Sequence, residues 1–196
     1  MGVIGALRAQ EVPLAQIAKA CVDLQPVPGR MQRVMPAGTS VPLPVAVVDY
    51  AHTPDALTQA LQALQPLARE RGGRMWCVLG CGGDRDPHKR PLMAAAAEAL
   101  ADRLVLTSDN PRSESPAAIL AQMCKGLARV QDAKVIEDRA AAIAQAVREA
   151  SPADVLLVAG KGHETTQEIA GVFHPFSDVA QLQQALAARA AQEVHA

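Results

Sequence analysis

Aromatic residues make up only 2% of the 196 positions, and the formal net charge is −1. So few rings cannot build a base-stacking surface, and so little charge draws the chain to neither nucleic acid nor an anionic membrane. No apolar run approaches the roughly 20 residues a membrane span needs. No basic stretch followed by a long apolar one marks a signal peptide at the N-terminus. The four cysteines, Cys21, Cys77, Cys81 and Cys124, are irregularly spaced. No second pair joins Cys77 and Cys81 to complete a zinc site, and reduced thiols in the cytoplasm are expected. Two glycine-rich stretches also fall short of the motifs they suggest. Gly80-Cys81-Gly82-Gly83-Asp84-Arg85 has Arg85 where a dinucleotide fingerprint needs its third glycine. Gly160-Lys161-Gly162 has Gly162 where a phosphate loop needs a magnesium-binding Ser or Thr.

The chain does carry an alternation of strands and helices. At 49% apolar and 20% charged it holds one sizeable domain and an appendage. Residues 1–27 read as helical, with Ile4 and Leu7 on one face and Leu14, Ile17, Cys21 and Leu24 on another. They are expected to pack on their own domain or on a second copy. Residues 28–44 have the composition of a linker, with Pro28, Gly29, Pro36, Gly38, Pro42 and Pro44. From residue 45 to 196, short β-branched runs at 45–48, 76–79, 104–106, 134–136 and 155–158 are separated by helical stretches. A sixth run at 169–173 is expected as an antiparallel edge strand. The reading is α/β: a Rossmann-like, mostly parallel sheet of about six strands flanked by helices.

In such sheets ligands bind beyond the carboxyl ends of the strands. Each of the five runs empties into Gly or ionisable residues there: Asp49 to His52, Gly80 to Arg85, Ser108 to Arg112, Glu137 to Arg139, and Gly160 to Glu164. Arg85 and Arg112 are planar forks suited to carboxylates or phosphates. Pro111 stiffens the backbone that carries Arg112. Asp109, Asn110 and Glu164 offer acceptors for an ammonium, and Gly160 lets a ligand approach the backbone closely. Anion grip beside cation acceptor suits a zwitterion. A capped turn with a solvated arginine is the competing account of residues 108–112. Lys161 and His163 receive no role.

Taken together, Asp49-Tyr50-Ala51-His52-Thr53-Pro54-Asp55, Gly80 to Arg85 with Lys89-Arg90-Pro91, Asp109-Asn110-Pro111-Arg112, and Gly160-Lys161-Gly162-His163-Glu164 resemble the C-terminal domain of the Mur ligases. The likeness is nearest to the members that add meso-diaminopimelate. It implies an amino-acid-binding domain of an ATP-dependent ligase that acts on UDP-MurNAc-L-Ala-D-Glu in peptidoglycan synthesis. It assigns Arg85, Asp109, Asn110, Pro111, Arg112, Gly160 and Glu164 to diaminopimelate, and Tyr50, His52 and Arg30 to ATP. It makes residues 1–27 the helical end of a central ATPase domain. That domain would supply the phosphate loop and the magnesium ligands, and an N-terminal domain the UDP site. No residue here is then catalytic or metal-binding, and the chain alone is expected to be inactive. The alternatives are a lysine-adding or other Mur-type ligase domain and a stand-alone amino-acid-binding module.

Overall fold

A computed structural model describes residues 2–22, 27–36, 38 and 41–194. The order of elements is α1 (Gly2–Ala9), α2 (Leu14–Val22), β1 (Gln32–Val34), β2 (Val45–Asp49), α3 (Pro54–Glu70), β3 (Met75–Cys81), α4 (Lys89–Leu100), β4 (Arg103–Ser108) and α5 (Pro116–Cys124). They are followed by β5 (Lys134–Val135), α6 (Arg139–Glu149), β6 (Val155–Ala159), β7 (Thr166–Ile169), β8 (Val172–Pro175) and α7 (Asp178–Val194). Among the described residues no helix is long and apolar enough to cross a membrane.

Six strands form the main sheet in the order β1-β2-β6-β3-β4-β5. β2 to β6 run parallel, and β1 alone is antiparallel, with Gln32 opposite Val48. Both faces of the sheet are covered, so its central strands are apolar throughout. Val47, Cys77, Leu79, Leu106 and Leu157 face α3, α4 and α5, where they meet Leu57, Leu61, Met93 and Met123. Their neighbours in sequence, Ala46, Val48, Trp76, Val78, Leu156 and Val158, face α6 and α7 and pack on Ile143, Val147, Leu182 and Leu186. Each such Leu, Ile or Val removed from water contributes roughly 1.5–3 kcal/mol. Two caps set where helices begin. Thr53 accepts from the Ala56 amide at 3.2 Å, and Asp138 from the Ala141 amide at 2.8 Å.

The expected sheet, mostly parallel with one antiparallel member, is present, but its antiparallel strand lies elsewhere. β1, inside the segment read as linker, supplies it. Residues 169–173 instead belong to a separate two-stranded hairpin of β7 and β8. Ala170 and Gly171 turn that hairpin with φ of 50° and 75°, the double left-handed geometry of a tight two-residue loop. The polar run Thr166-Gln167-Glu168 conceals the first of its strands. In the N-terminal helices Ile17 is buried while Leu14 is exposed, and Leu24 lies outside the described residues.

Candidate functional site

Four of the five loops at the carboxyl ends of the parallel strands, those after β2, β3, β4 and β6, enclose a cleft of about 420 Å³. Arg85, Asp109, Asn110, Arg112, Gly160 and Glu164 all line it, with Tyr50 and His52 at one side. The fifth loop, after β5, does not reach the cleft. It sends Arg139 underneath, where the guanidinium donates to the carbonyls of Ser108 (3.2 Å) and Ala159 (2.9 Å) and so ties the ends of β4 and β6 together. Arg139 itself is held by two bonds to Asp178, each 2.7 Å, with both side chains fully buried.

The loop after β4 is fixed before any ligand arrives. Arg112 has φ of +52°, a conformation that costs a side-chain-bearing residue energy and persists only when its surroundings impose it. Here β7 imposes it. The Arg112 amide donates to the Glu168 carbonyl at 3.0 Å, and the Ala170 amide donates back to the Arg112 carbonyl at 2.7 Å. The side chain is aimed from two directions. Nη1 donates to the Gly83 carbonyl at 2.6 Å, and Nε lies 3.3 Å from the Glu168 carboxylate. Pro111 is buried, and its carbonyl oxygen occupies the place a β-carbon on Gly83 would take. Glycine is therefore required where the β3 and β4 loops meet.

Arg85 is the freer fork. It is exposed, donates only to the neighbouring Asp84 carbonyl at 3.2 Å, and has no acidic partner among the described residues. Its loop is anchored by Arg90, almost wholly buried beneath it. Arg90 meets both oxygens of Glu114 at 2.7 Å and donates to the Gly82 carbonyl at 3.1 Å. Glu114 in turn accepts from the Asp84 amide at 2.6 Å. The Arg90 hydrogen bonds, then the Asp84 amide, hold the Glu114 carboxyl down at about 2.

The acceptors are also organised from inside. Asp109 is buried, which pushes its carboxyl above the usual range, while Arg139 and Lys161 pull the other way. Asn110 has little left to offer a ligand. Its Oδ1 accepts from Lys161 Nζ (2.8 Å) and the Glu168 amide (3.0 Å), and its Nδ2 donates to Glu164 Oε2 (2.8 Å). For Glu164, burial opposes ionisation, but hydrogen bonds from Lys161 and Asn110 outweigh it and keep the carboxyl below its ordinary value. Gly160 has φ of +116°, and a β-carbon there would come within 2.9 Å of Asp109 Oδ2.

Beside the cleft, the Arg30 guanidinium lies over the Tyr50 ring at 4.6 Å, and His52 is tilted against that ring at 4.6 Å. The segment carrying Arg30 is pinned, with the Met31 amide donating to Asp49 Oδ2 at 2.7 Å. Gly29 packs so closely on Gly162 and His163 that a β-carbon there would strike their backbone. Among the described residues no group of three or more His, Cys, Asp or Glu side chains is placed to hold a metal ion.

Arg90, Arg139 and Lys161 lie in stretches that the sequence singles out but receive no role there, and Glu114 and Glu168 lie outside those stretches. Only one hint was present: a lysine between two glycines after an apolar strand lies where the chain turns inward. Long cations are almost never fully buried unless paired, so periodicity gives no sign of these three.

The family model described as Mur ligase, glutamate ligase domain, matches residues 29–162. The UDP-N-acetylmuramoyl-L-alanyl-D-glutamate–2,6-diaminopimelate ligase of Acidovorax sp. (strain JS42) is 56% identical over 189 residues, covering 96% of this chain and 37% of that protein. The enzyme of the same name from Ralstonia nicotianae is also 56% identical, over 96% of this chain and 36% of its own length. A solved structure of a ligase of that name superposes with a TM-score of 0.73 at 41% identity, covering 95% of this chain and 37% of that one. The chain thus spans a little over a third of the length of the relatives it matches.

Proposed function

The chain belongs to the Mur ligase family, and we propose that it serves as the amino-acid-binding part of an ATP-dependent ligase that joins meso-diaminopimelate to UDP-MurNAc-L-Ala-D-Glu in peptidoglycan synthesis. One observation carries this reading: Arg85, Arg112 and Glu164, from three separate loops, line a single cleft. Diaminopimelate bears a carboxylate and an ammonium at the end distant from the reacting amine. Arg112, aimed by Gly83 and Glu168, grips the carboxylate, and Arg85 reaches it from the adjoining β3 loop. Glu164 accepts from the ammonium through the oxygen that has no partner among the described residues. Lysine has no carboxylate at that end, and this favours diaminopimelate over a lysine-adding enzyme.

In the reaction the D-glutamate γ-carboxylate gives up an oxygen to the phosphate split from ATP, leaving ADP, and the diaminopimelate amine loses a proton as it forms the amide at that carbon. This chain's share is orientation. Holding the far end of the amino acid fixes the amine relative to its target, a proximity effect. The flat surfaces of Tyr50, His52 and Arg30 suit the adenine end of ATP. The chain has no phosphate loop, so the phosphates and the magnesium ion require groups from elsewhere in a longer protein.

The test is an NMR titration of the ¹⁵N-labelled chain with meso-diaminopimelate. Resonances of Arg85, Arg112 and Glu164 are expected to shift together. Shifts confined to the amino-terminal ends of the strands contradict the proposal.

A further inference from the structure

We propose that Lys161 is a positioning residue of this site: it fixes the Glu164 carboxylate so that one oxygen is locked inside the protein and the other is presented to the cleft. The inference rests on the reading of Glu164 as the acceptor for a ligand ammonium.

Lys161 is fully buried. The backbone puts it there by turning inward between two glycines in left-handed conformations, Gly160 at φ +116° and Gly162 at φ +56°. A β-carbon at Gly160 would crowd Asp109 Oδ2, and one at Gly162 would come within 2.6 Å of the Tyr50 β-carbon. The loop then folds back at once. The Glu164 amide donates to the Lys161 carbonyl at 3.0 Å, which sets the Glu164 side chain above the buried ammonium.

Three side chains surround that ammonium. It makes two hydrogen bonds, to Asn110 Oδ1 at 2.8 Å and Glu164 Oε2 at 2.9 Å, and Asp109 Oδ1 lies 3.6 Å away. Asn110 completes the arrangement by donating to the same Oε2 at 2.8 Å. Glu164 Oε2 thus takes two donors, while Oε1 has none among the described residues, and the side chain is one-third exposed along the cleft. A carboxylate anchored at one oxygen has lost its rotational freedom before a ligand binds, so less entropy is lost on binding. Lys161 also neutralises part of the charge of two carboxylates held close together. Without it, Arg139 would still oppose the charge of Asp109, and Arg112 that of Glu164, but the cation between the two carboxylates would be gone.

The test uses the 196-residue chain and Lys161→Met, which keeps the side chain's length and removes its charge. Glutamate carboxyl carbons are followed by ¹³C NMR as pH is lowered, and the Glu164 signal is identified by its loss in Glu164→Gln. In the wild-type chain Glu164 is expected to titrate below the ordinary glutamate range, and in Lys161→Met its midpoint is expected to rise. The groups that face it are Lys161 on its own loop and Asn110, Asp109 and Arg112 on the β4 loop, with Arg85 lining the same cleft. Affinity for meso-diaminopimelate is expected to fall at least tenfold in the same variant. A Glu164 midpoint that is ordinary in the wild-type chain overturns the proposal whether or not the variant folds. So does a midpoint that Lys161→Met leaves in place. A midpoint that moves as expected supports the role of Lys161 even if diaminopimelate binds elsewhere, an outcome that would count only against the functional reading.

Discussion

Arg139 and Asp178 face each other through two parallel bonds of 2.7 Å with no solvent on either side chain. The pair joins the first residue of α6 to the first residue of α7. It also holds the guanidinium that binds the carbonyls ending β4 and β6. Breaking such a pair leaves an uncompensated buried charge, whereas the intact pair need add little net stability. Asp178→Ala is therefore expected to destabilise the chain by about 3–5 kcal/mol, read from the midpoint of urea denaturation. A loss no larger than that of a typical surface substitution would show that Arg139 is not left buried and uncompensated.

Glu114 gives the fold an acid-sensitive contact. Its carboxyl is held at about 2, against 4.5 for the free group. A lowered folded-state value means that the unfolded chain binds the proton first as pH falls. The stability from Glu114 is present in full above about 4.5 and is lost as pH drops toward about 2. The stability difference between wild type and Glu114→Gln is expected to be constant near neutrality and to shrink through that window. Chemical denaturation at a series of pH values measures it, and a difference independent of pH would contradict the assignment.

Gly83 is the point where the β3 and β4 loops touch. A β-carbon there would collide with the Pro111 carbonyl, which is backbone and cannot swing aside. Gly83→Ala is expected to cost about 1–3 kcal/mol. It should also weaken ligand binding, because the Gly83 carbonyl is what Arg112 Nη1 is bonded to. Wild-type stability with wild-type affinity would refute the close approach.

What the sequence revealed and what it hid follow from the same physics. Strands buried on both faces must be continuously apolar, so β2, β3, β4 and β6 were legible, and with them the rim that carries the cleft. Thr53 and Asp138 could be read as helix starts because capping depends on local chemistry. β1 was hidden because three residues, Gln-Arg-Val, at a sheet edge carry no period. The supports of the site were hidden for a different reason. Whether Lys161, Arg90 and Arg139 are solvated or buried depends on partners 24 to 51 residues away, such as Glu114, Asp178 and Asn110. Asn110 belongs to both groups: it lines the cleft, and its amide is also bonded to Lys161, Glu164 and Glu168.

The cleft is expected to recognise the carboxylate at the far end of a diamino acid through Arg112. Calorimetry of the chain with meso-diaminopimelate and with L-lysine, each repeated on Arg112→Ala, measures this directly. Diaminopimelate is expected to bind at least tenfold more tightly than lysine, equivalent to about 1.4 kcal/mol, and the preference is expected to disappear in Arg112→Ala. Equal affinity for the two amino acids, or a preference that survives the loss of Arg112, would contradict it.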